Sequence, residues 1–150
     1  MSIPTRAVAP FILIAALFGV AAFGQEKKAE RKLSVTLNYT GAGTVDDKHK
    51  IIVFLFDNPD FMSGNGMPFT SATATSKGET LKFVDLAQEK VYVVAVFDPT
   101  GGYDGMSGPP PSGSSLGMYS TEPGKPGGIK IEDGKTAEVE LRFDDTAKMQ

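Results

Sequence analysis

The sequence predicts an all-β fold, a sandwich of about seven short antiparallel β-strands, and three observations carry that prediction. Apolar residues recur with period two in runs of five to eight residues; turn-forming Gly, Pro, Asn and Asp separate those runs; and no ten-residue stretch after residue 24 has helical periodicity. Two of the runs are apolar on both faces, which a strand tolerates only when both faces are covered. A closed barrel is the alternative arrangement of the same strands.

The N-terminus is read first as an export signal. Arg6 supplies a short positive region, Ala7 to Phe23 is a 17-residue apolar run, and Ala22 and Gly24 are the small residues that a signal peptidase reads. Cleavage after Gly24 is expected, with an N-terminal signal-peptide helix over residues 1–24. An uncleaved anchor is the alternative, since 17 residues lie at the lower edge of a bilayer span. Pro10 within the run favours removal. No Cys follows it, so no lipid is attached at a cysteine.

Removal of residues 1–24 leaves 126 residues, the size of one domain with a single core. The chain has no Cys, which excludes disulfides, thiol nucleophiles and thiolate metal sites together. Loss of Arg6 leaves 14 basic against 18 acidic side chains, a net charge of −4. That mildly acidic balance argues against nucleic acid as a partner.

Residues 25–32 are charged and without apolar periodicity, and read as a solvated leader to a domain at 33–143. Leu33, Val35, Leu37 and Tyr39 alternate with polar residues, so the first strand has one face in the core. Lys50 to Asp57 is apolar on both faces and reads as a central strand. Asp57 to Asp60 is a turn by composition. Thr70 to Thr75, small and Thr-rich, suits a sheet edge. Thr80 to Leu86 follows, with Leu81, Phe83 and Leu86 toward the core, and Val91 to Phe97 is a second two-sided strand. Gly128 to Glu132 and Ala137 to Phe143 are expected to pair as a hairpin across Asp133-Gly134-Lys135. Residues 144–150 read as a frayed polar tail.

Ile51 to Asp57, Leu86 to Tyr92 and Val94 to Asp98 leading into a Gly-rich loop resemble the transthyretin-like and carboxypeptidase-regulatory-like sandwiches, and a related set of small secreted bacterial domains of unknown function. The resemblance spans most of residues 32–143. It implies an immunoglobulin-like or transthyretin-like sandwich and a binding, spacer or accessory role. The family turn before the Tyr strand usually carries Gly, whereas Gln88-Glu89-Lys90 stands here.

Pro99 to Gly128 contains nine Gly and six Pro in thirty residues and reads as one long loop, a contact surface rather than a reaction centre. Tyr103, Met106, Met118 and Tyr119 are its candidate contact residues. Asp98, Thr100 and Asp104 alternate as calcium ligands do, with Asp57 and Asp60 able to add charge if their turn lies alongside. An EF-hand loop, however, needs an oxygen where Gly102 stands and a bidentate Glu where Pro109 stands. Met62, Met67, Met106 and Met118 are soft sulfur donors that, with His49, could hold exported copper, or they pack the loops onto the sandwich.

Ser115 is the centre of a G-x-S-x-G match, but the pattern needs a strand before it and a helix after it. His49 is the only His and no Cys exists, so no nucleophile and base are nominated; catalytic residues are none and no cofactor is required. Phe61, Phe69, Tyr103 and Tyr119 are rings that could stack on a glycan or small ligand, or, for Phe61 and Phe69, plug the open end of the core. The reading is therefore a secreted or periplasmic, non-catalytic binding module. Its partner is an envelope or extracellular protein or glycan, and the mature chain is not inserted in a membrane. A metal-binding sandwich, with calcium or copper, is the alternative, and glycan or small-ligand binding through loop aromatics is a second.

Overall fold

The computed structural model describes residues 30–150; the expected signal segment and most of the leader lie outside them. The described chain forms eight strands: β1 Arg31–Tyr39, β2 Ile51–Phe56, β3 Thr70–Ala74, β4 Thr80–Leu86, β5 Lys90–Phe97, β6 Ser115–Met118, β7 Ile129–Lys130 and β8 Thr136–Phe143. A 3-10 turn at Pro59–Ser63 is its only helical element. Three strands make one sheet in the order β4-β1-β8, and five make the other, in the order β3-β2-β5-β6 with β7 also on β5. The two sheets face one another across a core as in a β-sandwich.

The period-two pattern of β1 does what it predicts. Leu33, Val35, Leu37 and Tyr39 are buried between the sheets, whereas Thr36 and Asn38 face solvent and bond across the strands to Thr80 and Glu140. The core is completed by Ile51, Val53 and Leu55 of β2, by Val91, Val93, Ala95 and Phe97 of β5, and by Leu141 and Phe143 of β8.

All six residues of β2 are buried, as a two-sided strand requires. Ile52, Phe54 and Phe56, with Tyr92 and Val96 of β5, form a second apolar layer on the outer face of the five-stranded sheet. Its cover comes from two segments that composition marks as turns or loops. Phe61 of the 3-10 turn stacks on Phe56 with ring centroids 4.6 Å apart, and Tyr103 tilts over Phe54 at 6.4 Å. Phe61 thus lies on the outer face and does not plug the inter-sheet core, while Phe69 packs against that core.

Several expectations are corrected. The strands are not all antiparallel, because β8 runs parallel to β1 from Lys32↔Thr136 to Tyr39↔Phe143. The C-terminal hairpin does not form: β7 pairs Val91↔Ile129 in one sheet, and the turn at Glu132–Lys135 carries the chain across to the other. A turn signal and two alternating runs look identical whether the second run returns to the first or changes sheet. The leader boundary also moves, since Arg31 is buried in β1. Its guanidinium donates to Ala87 O at 2.9 Å and pairs with Asp133 at 2.5 Å.

The segment after Pro99 and the C-terminus also depart from expectation. Ser115–Met118 is a strand on β5, in register from Phe97↔Ser115 to Val94↔Met118. Gly117 is what lets it approach: a Cβ there would sit 2.5 Å from Cγ of Phe143. The tail is docked, not frayed. Leu116 N–H donates to Ala147 O, Met149 N–H to Ser114 O and Gly113 N–H to Met149 O, so residues 147–149 add to the free edge of β6. The polar composition of a tail does not disclose pairing through main-chain groups.

Candidate functional site

The tail is fastened where it changes sheets. Asp145 accepts from Tyr39 Oη at 2.5 Å, Ser115 Oγ at 2.6 Å and Ala42 N–H at 2.8 Å. These bonds, the Ser115 hydroxyl first, hold its carboxyl pKa down at about 2. Burial, and then the same carboxylate, push the Tyr39 phenol up. Ser115 is buried on a strand and turned toward this knot, while His49 is bound through Nδ1 to Asp46 at 2.9 Å. The serine match therefore sits in neither the exposure nor the company that a nucleophile needs.

The more open arrangement is at the start of the long loop. Asp98 follows Phe97 directly, is buried, and accepts from Thr100 N–H and Oγ1, Gly102 N–H and Tyr103 N–H at 2.7–3.0 Å. Burial raises its carboxyl, but the bonds from Thr100, Tyr103 and Gly102 outweigh that and leave its pKa below the ordinary value. Asp104 repeats the device, accepting from the Ser107 hydroxyl and from Met106 and Ser107 N–H, which holds its pKa down at about 2. Two Asx-type turns in succession give a Gly-rich segment a fixed path.

That path runs across the outer face of the five-stranded sheet. Gly105 has φ +77° and lies so close that a Cβ would be 3.1 Å from Phe54 Cζ. Gly101, at φ +74°, meets the 46–50 turn, where a Cβ would be 2.5 Å from Lys48 O. Burial, with the nearby Asp104 charge, raises the Tyr103 phenol, whose hydroxyl donates to Gly108 O at 3.2 Å.

Between the loop and the 46–50 turn lies an open cleft of about 260 Å³. Its floor is Ile52 and Thr73, opposite one another on β2 and β3. One wall carries Asp47, Lys48 and Lys50, and the other Asp98, Gly101, Tyr103 and Asp104. A second groove, about 350 Å³, follows β6 and the end of β8 beside Met118 and Asp144.

The predicted site residues are thus partly gathered and partly dispersed. Asp98, Tyr103 and Asp104 share the cleft. Asp57 and Asp60 flank the far end of β2, because Ile51 pairs with Phe97 while Phe56 pairs with Tyr92, so they add nothing to the charge at Asp98. Met118 is on β6, Tyr119 packs against the inter-sheet core, and Met62, Met67 and Met106 are exposed. Tyr103 and Tyr119 accordingly belong to opposite faces of one sheet. Among the described residues no group of three or more His, Asp or Glu is placed to hold a metal ion.

Lys48, Lys50, Asp47 and Thr73 were not singled out from sequence. The available signal was the parity of Lys50, which continues the outward series Ile52, Phe54 and Phe56. No family model, curated protein or solved structure matches the chain.

Proposed function

We propose that this is an exported, non-catalytic binding module of the transthyretin-like kind, and that its contact surface is the cleft between the 46–50 turn and the Asp98–Gly105 segment. The observation that supports this most is the anchoring of a Gly-rich segment by Asp98 and Asp104 over an apolar sheet face, which leaves an open, charge-lined cleft at its rim. A wall fixed in advance lowers the ordering cost of binding. Sites of this kind combine an apolar floor with a few placed polar groups.

Backbone amide NMR tests the reading. Neutral sugars, amino acids, short peptides, Ca²⁺ and Cu(I) are added in turn to the mature chain. Perturbations confined to Ile52, Thr73 and residues 98–105 by an organic probe support the cleft. Perturbation only by a metal ion favours the metal-binding alternative, and perturbation only around Phe56, Phe61 and Tyr92 moves the contact surface to the other end of the sheet.

A further inference from the structure

The cleft carries charge of both signs without pairing it. Among the described residues neither Lys48 nor Lys50 makes an ion pair or a side-chain hydrogen bond, although both stand in the same cleft as Asp47, Asp98 and Asp104. The two loop carboxylates are largely occupied by the loop's own donors. Asp98 divides its oxygens among five donor contacts, whereas Asp104 uses Oδ1 twice and Oδ2 once. What remains for an occupant is two ammonium groups, the Thr73 hydroxyl, the Asp47 carboxylate and one lone pair on Asp104 Oδ2.

We infer that the cleft binds a small hydroxylated monocarboxylate of the uronic-acid type, its carboxylate held by Lys48 and Lys50 and its hydroxyls donating to Asp47 and Asp104. This rests on the binding-module reading given above. The sign of the charge follows from two unpaired ammonium groups set against one carboxylate, Asp47, that has no donor of its own, since Asp98 and Asp104 are stabilised by the loop amides and hydroxyls. The single charge follows from the three carboxylates, since a dianion would meet their repulsion at close range. The hydroxyls follow from the acceptors that remain, and the apolar edge of a sugar ring matches Ile52 and the Tyr103 ring. The volume, about 260 Å³, lies below that of drug-sized pockets and suits a single sugar-sized unit.

The test compares three probes of one ring size, D-glucuronate, D-glucose and glucose 6-phosphate, by amide NMR titration of the mature chain at low salt. Glucuronate is expected to perturb residues 48–52, Thr73 and 98–105, and to bind at least about tenfold tighter than the other two, the usual scale of one well-made charge contact. Lys48→Ala and Lys50→Ala should each weaken it by about five- to tenfold with unchanged melting temperature, because both side chains are exposed and unpaired. Equal binding of glucose and glucuronate at the cleft would overturn the carboxylate assignment and leave the module reading standing. Preference for the phosphate would overturn the monoanion assignment. No cleft response to any of the three, or glucuronate binding unaffected in both lysine variants, would overturn the inference; cleft binding by another probe of the wider panel would still uphold the module reading.

Discussion

Replacing Asp145 by Ala removes the acceptor shared by Tyr39, Ser115 and the Ala42 amide. Tyr39 and Ser115 are 3% and 2% exposed, so their hydroxyls lose their partner in a place water reaches poorly. An unsatisfied buried donor costs about 1–3 kcal/mol. Because Asp145 itself is only half-buried and leaves some room for water, the low end applies to each, and the sum is about 2 kcal/mol. For a domain of this size that corresponds to a melting temperature lower by about 8 °C. Thermal denaturation followed by circular dichroism reads the shift, and amide exchange at Leu116 and Met149 should accelerate as the tail undocks.

The same carboxylate sets an acid limit. Its folded pKa is about 2 against an ordinary 3.8, so its stabilisation is present above pH 3.8 and is lost as pH falls toward 2. Asp145→Asn should flatten that part of the stability profile. An Asp145→Ala protein that melts within a degree of the parent and keeps Met149 protected would refute the latch.

Gly117→Val should destabilise by about 1–3 kcal/mol through overpacking against Phe143, measured by urea denaturation. Asp98→Ala should free the Gly102 and Tyr103 amides and expose the Tyr103 ring; with four Tyr and no Trp, Tyr fluorescence and iodide quenching report it directly. Excising residues 106–112 should leave a folded domain, whereas excising 115–118 removes β6 and the docking edge for the tail and should abolish cooperative melting. If the chain is exported and cleaved as proposed, N-terminal sequencing of the chain made in cells should begin at Gln25; a chain retaining Met1 in the membrane fraction would favour the anchor.

What the sequence disclosed and what it concealed divide along a physical line. Side-chain periodicity reports which face of a strand is buried, so Leu33 to Tyr39 and the two-sided β2 and β5 were legible. It does not report who provides the cover. Burial of Phe54 and Tyr92 on the outer face requires partners, and these are Tyr103 and Phe61, isolated rings in segments whose Gly, Pro and Asp suggest only turns. Main-chain pairing is equally silent in composition. Ser115–Met118 is a strand because of its backbone pairing with Val94–Phe97, not because Ser, Leu, Gly and Met announce one.

Of the candidate site, Asp98, Tyr103 and Asp104 were visible as an acidic, aromatic loop start, and the cleft brings them together. Lys48 and Lys50 enter through a turn that lies far off in sequence and adjacent in space. Met62, Met67, Met106 and Met118 show the converse: Met118 lies on β6 and the other three are exposed, so shared composition does not mean shared position.

Site-resolved amide hydrogen exchange in the native state tests most directly whether the Gly- and Pro-rich segment is a built wall. Gly102 and Tyr103, held by Asp98, should exchange much more slowly than Gly108 and Ser112, for which no donated amide bond is seen. Exchange equally fast at all four amides would contradict it.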